Sequence, residues 1–249
     1  MSDLRDVSGA PQDLWRAAVA RDPARPFLTH YDDATGERVE LSFTTTDNWV
    51  AKTANLLVDE LCAEPGERVG LWLPTHWQTV VWYLACWATG TVPALGADPA
   101  DCAHAVADPE HAEATVDCPG TRLLVPLRPL GGRAATVPTG MLDYAAEVPT
   151  HGDRFAGPPV LATAPALERA GVTLDGAALV AAARADATEH GLSGASRVLF
   201  TGDLGSAAGL AAGLLGPLAA GASVVLCRNV DRTRLPDRAQ AERVTHQLS

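Results

Sequence analysis

Residues 202–209 are the part of this sequence whose residue types best fit the binding of a phosphate group. They read Gly-Asp-Leu-Gly-Ser-Ala-Ala-Gly, and the surrounding pattern predicts a strand before them and a helix after them. Backbone amides at such a turn can bind an anion. The spacing, however, is neither G-x-G-x-x-G nor G-x-x-x-x-G-K-S/T. We therefore interpret the segment as a strand-to-helix turn capped by Ser206, in preference to a nucleotide site.

Metal binding and nucleophilic catalysis find less support in the residue spacing. The potential metal ligands that lie close together in sequence are Cys102, His104, His111 and Cys118. No pair among them has the C-x-x-C or H-x-x-x-H spacing that presents two ligands together. Ser206 lacks the G-x-S-x-G sequence of a hydrolase nucleophile. The sequence thus predicts neither a catalytic residue nor a metal site.

Charge and cysteine content exclude several classes of partner. The 249-residue chain has a formal net charge of −11 and 19 basic residues. Because nucleic acids and anionic lipids bind clustered Lys and Arg, we expect neither as a partner. An odd number of cysteines, five, without the spacing of a disulfide framework favours a reducing cytoplasm. The polar start MSDLRDVSG has no apolar signal-peptide core.

The uncharged stretch 205–227 is long enough to span a bilayer. Its glycines and Pro217 divide it into a helix, a turn and a strand. A buried α/β unit is therefore the better interpretation, and we expect no membrane span.

Residues 66–96 give the clearest structural pattern, a strand, a helix and a second strand. The apolar run 69–73 has the length of a strand and stops at Pro74, which cannot continue a ladder. Apolar residues at helical spacing follow over 77–88, and Gly90 suits a left-handed helix end. Residues 91–95 resume as a strand. Such a unit belongs to a parallel sheet.

The rest of the chain is predicted to extend the same sheet. Further strands are expected at 27–32, 38–43, 114–117, 122–127, 160–164, 196–201 and 222–227. Helices are expected within 1–22 and at 44–61, 101–107, 141–147, 176–190 and 206–220, before a helical or frayed tail at 230–249. The fold class is α/β, a layered α/β/α arrangement with a mostly parallel sheet. We expect a first subdomain at 1–127, an irregular Pro/Gly-rich connection at 128–158 and a second block at 159–249, packed as a single compact unit.

Several segments of the chain are similar to the sequence motifs of one enzyme family. Residues 41–45, LSFTT, are similar to that family's "lTYaeL". Residues 65–74, PGERVGLWLP, are similar to its "pGDrVai.lpn", and residues 84–93, LACWATGTVP, to its "lAvlkaGavyvPl". Residues 197–226 resemble a later stretch that ends in "pLlaGatvvl". The chain is thus similar to the amino-terminal part of AMP-dependent synthetases and ligases, among them the acyl-CoA synthetases.

The resemblance implies a site for ATP and also reveals a departure from the family. These enzymes wrap the ATP phosphates in a Ser/Thr/Gly-rich loop ending in Pro-Lys-Gly. The equivalent segment here is 161–172, LATAPALERAGV, with Ala170 where the lysine is expected. Without small residues in the right places, a chain cannot approach a triphosphate closely. We expect no cofactor; if ATP or AMP is bound, its contacts at the carboxyl ends of strands would be Thr163, Gly171, Thr201, Gly202 and Asp203.

These departures favour a protein that is not catalytic alone. The family's adenine- and metal-binding Tyr-Gly-x-Thr-Glu segment, its ribose-binding Asp and its C-terminal domain with the catalytic Lys have no counterpart in the sequence. We expect a truncated scaffold that serves as a binding or partner module. Two alternatives stay open: an acyl-adenylate or acyl-CoA ligase that works with a second polypeptide, and another nucleotide-binding domain that uses 202–209.

Partner binding follows from the same resemblance. In the longer relatives, other subdomains cover surface that this chain would leave bare. Because large apolar patches are rare on monomers, we expect a homodimer or a stable protein partner.

Overall fold

The chain forms two β-sheets with helices between them, and this computed structural model describes residues 9–249. The strands are β1 Pro26–Asp32, β2 Glu37–Ser42, β3 Arg68–Trp72, β4 Val92–Leu95, β5 His104–Ala107, β6 Arg122–Leu124, β7 Met141–Asp143, β8 Pro165–Arg169, β9 Val172–Asp175, β10 Arg197–Phe200, β11 Ser223–Arg228 and β12 His246–Leu248. The α-helices are α1 Pro11–Arg21, α2 Phe43–Asn55, α3 Trp77–Thr89, α4 Tyr144–Glu147, α5 Gly176–Glu189, α6 Ala207–Leu210, α7 Gly216–Ala220 and α8 Leu235–Ala241. The π-helical segments Leu56–Glu60 and Ala211–Leu215 continue α2 and α6.

Most neighbouring strands run parallel. One sheet has seven strands in the order β7-β6-β5-β3-β4-β8-β9, and the other has five in the order β12-β10-β11-β1-β2. Two hairpins at sheet edges, β1–β2 and β8–β9, are antiparallel. The remaining neighbours are parallel. The predicted α/β class with mostly parallel strands is confirmed.

The predicted strand–helix–strand unit is also confirmed. β3 and β4 pair in parallel and are joined by α3. This helix begins after His76, whose side chain accepts a hydrogen bond from the Gln78 amide, and ends at Gly90, where φ is 78°. Every residue of α3 except Ala88 is buried. The burial is this extensive because the helix contacts β4 of one sheet and β1 of the other.

The expectation that all strands extend one sheet is wrong. β1 pairs with β11, with Leu28 opposite Val224, so the first hairpin and the last strands form a separate sheet. The second sheet forms because α3 is apolar on all sides, and such a helix must be covered on every side. The second sheet covers the face of α3 that the first leaves open.

Two predictions that follow β4 are wrong. The helix predicted at 101–107 is a 3₁₀ turn ending at Asp101, followed by β5. The strand predicted at 114–117 overlaps the 3₁₀ turn Ala112–Thr115. Short stretches of Ala and Val are compatible with either conformation, so the available pairing partners decide the outcome.

The second half of the chain contains four strands that the sequence did not predict, β7, β8, β9 and β12. Residues 160–164, expected as a strand, precede β8, and pairing begins only at Pro165. The predicted tail contains α8 and then β12, which pairs with β10. At 141–147 the predicted helical turn is confirmed for α4, but the first three residues form β7.

Each sheet takes strands from both halves of the chain. β8 and β9, from the block 159–249, extend the sheet formed by β3 to β7, while β1 and β2 pair with later strands. The uncharged stretch 205–227 divides into helical segments and β11, as predicted. Along the described part of the chain, no helix is both long and apolar enough to cross a membrane.

A buried carboxylate joins the strands of the five-stranded sheet on the face opposite α3. Glu242 accepts hydrogen bonds from the Tyr31 hydroxyl and from the guanidinium groups of Arg38 and Arg197. Burial alone would raise the pKa of Glu242, but these hydrogen bonds outweigh it and lower that pKa to about 2. The group therefore stabilises the fold in its ionised form.

We expect Glu242→Gln to lower the free energy of unfolding by about 2 kcal/mol at pH 7, because hydrogen bonds to an ionised acceptor are lost. In the wild type this contribution is present above the usual pKa of 4.5 and disappears as the pH falls towards about 2. Urea unfolding between pH 7 and pH 3 measures it, with the exposed Glu113→Gln as control. Parallel pH profiles for the wild type and Glu242→Gln would contradict the assignment.

Candidate functional site

The segment in which the resemblance locates the phosphate loop forms a tight hairpin. Arg169 at the end of β8 lies opposite Val172 at the start of β9. The two residues between them, Ala170 and Gly171, both have positive φ, 48° and 75°. These angles suit a two-residue type I′ turn, whose twist matches that of a hairpin. A turn this short leaves no loop that could wrap a triphosphate.

Thr163 and Gly171, two of the predicted nucleotide contacts, lie at opposite ends of β8. Thr163 is in the turn before the strand, where the Ala164 amide donates to the Leu161 carbonyl over 3.0 Å. Gly171 follows the strand and is exposed. Since five extended residues span about 17 Å, the structure does not bring these two residues together.

Thr201, Gly202 and Asp203 lie together in the loop after β10, at the carboxyl end of that strand as expected. The Thr201 amide donates to the Leu248 carbonyl over 3.1 Å. A Cβ on Gly202 would approach the backbone carbon of Ser249 to 2.8 Å. The chain around β12 therefore closes one side of this loop and leaves no room for a side chain at Gly202.

Buried hydrogen bonds fasten this loop to the segment that follows β3. The Thr75 hydroxyl donates to the Gly202 carbonyl and accepts from the Leu204 amide, both over 2.9 Å. The Tyr83 hydroxyl on α3 donates to the Leu204 carbonyl over 2.9 Å. Burial, reinforced by the Asp203 charge, raises the pKa of Tyr83, so the phenol stays protonated as a donor. The loop is thus connected to the helix between the sheets.

The glycine-rich segment 202–209 is a capped turn. The Ser206 hydroxyl accepts from the Gly209 amide over 3.0 Å and donates to the Asp203 carbonyl over 2.9 Å. The Asp203 carboxylate accepts from the Gly205 amide over 2.8 Å. A Cβ on Gly209 would lie 1.8 Å from the Asp203 carbonyl oxygen, so glycine is required there. The predicted Ser206 cap is confirmed, and the loop's own oxygens accept from its amides.

The potential metal ligands singled out in the sequence have other partners. The Cys118 thiol donates to the Cys102 carbonyl over 3.4 Å. His111 Nδ1 lies 2.7 Å from a carboxylate oxygen of Asp108. His104 Nε2 lies 3.9 Å from Glu67. The Cys102 thiol donates to the Asp98 carbonyl over 3.6 Å, and Nδ1 of His104 has no hydrogen-bond partner. In the part of the chain that the structure describes, these four side chains do not converge as a group that could hold an ion.

A different set of ligand-type side chains converges in the described part of the chain, formed by His30, Glu37 and His76. Sequence spacing could not identify it, because the three residues lie on a hairpin and on a distant helix start. The only sequence signal is a histidine within the buried strand β1, and a buried histidine alone does not indicate a ligand. None of these three residues belongs to the loop after β10, where Thr201, Gly202 and Asp203 were predicted as nucleotide contacts.

The chain is similar to the amino-terminal part of AMP-dependent synthetases and ligases. Residues 15–109 match the family model "AMP-binding enzyme". The chain is 42% identical over 252 residues to the "TIGR03089 family protein" of Mycobacterium tuberculosis, and the alignment covers 100% of each chain. The chain belongs to the same family as this protein.

Solved structures confirm the fold. An acyl-CoA synthetase from Brucella canis superimposes with a TM-score of 0.78 at 19% identity, covering 94% of this chain and 46% of that one. A mutant form of coronafacic acid ligase from Pectobacterium brasiliense gives a TM-score of 0.77 at 12% identity, covering 96% and 49%. The chain spans about half the length of these two proteins. Their likeness at such low identity concerns the fold alone.

The contacts of Thr75 predict its contribution to stability. Thr75→Val leaves the buried Leu204 amide without its acceptor, so we expect the free energy of unfolding to fall by about 1–3 kcal/mol. Thr75→Ser keeps the hydroxyl and should lose much less. Urea unfolding of the two variants makes the comparison, and equal stability of Thr75→Val and the wild type would show that the loop is held by other contacts.

Proposed function

We propose that this protein retains the scaffold of adenylate-forming enzymes without forming acyl adenylates by itself, and that it acts as a binding or partner module. The observation that carries the proposal is the turn Ala170–Gly171 between β8 and β9. In the enzymes that the chain resembles, the equivalent loop holds the ATP phosphates. Several backbone amides must converge on one anion to do so, and a two-residue turn supplies too few.

The side chains around the turn do not replace that loop. Val172 is 61% exposed and apolar, and it cannot donate to a phosphate. Arg169 is exposed beside the turn. An exposed guanidinium without supporting amides binds an anion weakly in water. The proposal therefore assigns weak or no triphosphate binding to this edge of the seven-stranded sheet.

A second candidate function is a ligase that is complete only with another polypeptide. The coverage of the solved structures favours it, since the chain matches 46% and 49% of their lengths. In this case the loop after β10 would lie at the junction with the second polypeptide. Activity would then require both chains.

Two measurements on the purified chain test the proposal. Calorimetry measures the equilibrium binding of Mg·ATP and of AMP, and ATP–pyrophosphate exchange over a panel of carboxylic acids measures the formation of acyl adenylates. The proposal predicts no exchange and no binding of Mg·ATP at micromolar concentration, because the turn between β8 and β9 offers too few amides. A full-length acyl-CoA synthetase serves as the positive control.

Exchange by the chain alone would overturn the proposal. Micromolar binding without exchange would favour the two-polypeptide ligase. In that case Asp203→Ala should weaken binding, whereas Asp101→Ala, on an exposed turn away from the loop after β10, should not.

A partner surface is proposed at the edge strand β9. Its apolar side chains Val172 and Leu174 are 61% and 36% exposed, and Leu161 nearby in sequence is 70% exposed. β9 pairs with β8 on one side and is the last strand of its sheet. An apolar edge with open backbone groups favours pairing with another strand. A two-fold homodimer in which the β9 strands of two copies pair would cover the exposed apolar side chains and would also pair the open backbone groups of this edge.

We expect light scattering to give the mass of a dimer at micromolar concentration. Val172→Lys with Leu174→Lys should give a monomer with an unchanged fold, because charged side chains at an edge oppose strand pairing. Val137→Lys, at another exposed position, is the matched control and should remain dimeric. A wild-type monomer would contradict the proposed homodimer.

The cytoplasm stays the proposed location. The five cysteines are free thiols, and four of them are buried. Free thiols suit a reducing compartment.

A further inference from the structure

Three side chains of metal-ligand type meet between the two sheets. His30 on β1, Glu37 on β2 and His76 before α3 are all buried, and one potential ligand atom of each lies within 4.8 Å of the others. The two imidazole rings are 4.4 Å apart between centroids. His76 Nε2 is 3.8 Å from a carboxylate oxygen of Glu37.

The hairpin and the helix start place these side chains on facing surfaces. In the β1–β2 pairing, His30 lies opposite Val39 and Asp32 lies opposite Glu37. Because side chains alternate along a strand, His30 and Glu37 are diagonal neighbours on one face. This face is turned towards α3, and His76 precedes that helix. The cluster thus joins the five-stranded sheet to the strand–helix unit of the other.

Both imidazoles are buried with nitrogen atoms that have no hydrogen-bond partner. Neither ring nitrogen of His30 has one, nor does Nε2 of His76, and both residues are 0% exposed. Burial lowers the pKa of each imidazole to about 3, so both rings are neutral and offer lone pairs. Unpaired polar atoms at such depth are rare in folded proteins, and an ion is one explanation for them.

We propose that His30, Glu37 and His76 bind a zinc ion, with a water molecule as the fourth ligand. Two imidazole nitrogens and one carboxylate oxygen are a donor set that zinc accepts in tetrahedral geometry. Zinc–ligand bonds are about 2.0–2.2 Å long, so the ligand atoms must approach one another by about 1 Å. The proposal requires the three side chains to rotate by this amount. The ion would connect β1, β2 and the start of α3.

The local charges favour a dication. Glu37 and Asp32 supply two negative charges near His30, and Arg228 supplies one positive charge. The Asp32 carboxylate accepts from the Ala34 amide and from Asn229 Nδ2, both over 2.9 Å. Asp32 is thereby held by its own turn and acts as a neighbouring charge. The net local charge of −1 becomes +1 when a dication binds.

One hydrogen bond must change for the ion to bind. His76 Nδ1 accepts from the Gln78 amide over 3.2 Å, so the neutral ring carries its proton on Nε2. Coordination through Nε2 moves this proton to Nδ1 and ends the hydrogen bond from Gln78. Since His30 makes no such bond, its ring can coordinate without a comparable change.

The test is zinc titration of protein prepared free of metal, in competition with a chromophoric chelator. We expect one zinc ion per chain and a thermal midpoint that rises with zinc. Glu37→Gln should weaken zinc at least about a hundredfold, since even outer-shell changes cost 10–100-fold. Glu40→Gln changes the same residue type on the outer face of β2 and should bind zinc as the wild type does. Cobalt should give the visible spectrum of a tetrahedral site in the wild type but not in Glu37→Gln.

A second variant keeps the test valid if Glu37→Gln does not fold. His30→Phe replaces a buried polar ring with an apolar one, so it should fold without metal and lose the zinc-dependent rise in thermal midpoint. The proposal is overturned if the wild type binds no zinc at micromolar concentration. It is equally overturned if Glu37→Gln and His30→Phe bind zinc as tightly as the wild type, which would indicate adventitious binding at a cysteine or surface histidine.

Discussion

Trp77, Trp82 and Trp87 are each at most 2% exposed, although a spacing of five residues points them to different sides of α3. Burying each such ring contributes on the order of 2–3 kcal/mol, so the helix has to be covered on every side. The two sheets and α2 provide that cover. As a result, the β1–β2 hairpin lies beside the start of α3, and the loop after β10 lies beside Tyr83. Both regions that could bind a ligand thus owe their geometry to the burial of one helix.

Short-range patterns predicted the elements with the most regular apolar spacing, and long-range strand pairing could not be predicted. The unit β3–α3–β4 and helix α5 follow from apolar spacing, Pro74 and a glycine at or near each helix end, all of which are local signals. The division into two sheets depends on the pairing of β1 with β11, and both are mostly buried strands whose own residues do not indicate which sheet they join. Residues 160–164 were misassigned for a related reason, since an apolar run shows neither where pairing starts nor with which strand.

The sequence revealed the site only in part. The missing lysine at Ala170 was visible, but positive φ at two successive residues, which makes the segment a tight turn, was not. The cap at Ser206 was predictable because it joins residues three apart. His30, Glu37 and His76 share no recognisable spacing and meet only after the sheets have packed, so no motif could identify them. Many apolar positions together determine the scaffold, whereas a few side chains determine a binding site. The scaffold can therefore persist while the site changes.

The pairing of β1 with β11 has a consequence for how the chain folds. Leu28 and Val224 are neighbours in the five-stranded sheet although they are close to opposite ends of the chain. Contacts between residues so distant in sequence carry a large loop-closure entropy and slow folding. During synthesis, β1 and β2 emerge before β11, and until β11 is made the edge of β1 that pairs with it stays open. In that interval the nascent chain presents an open strand edge, which is the condition under which chaperones protect a folding intermediate from aggregation.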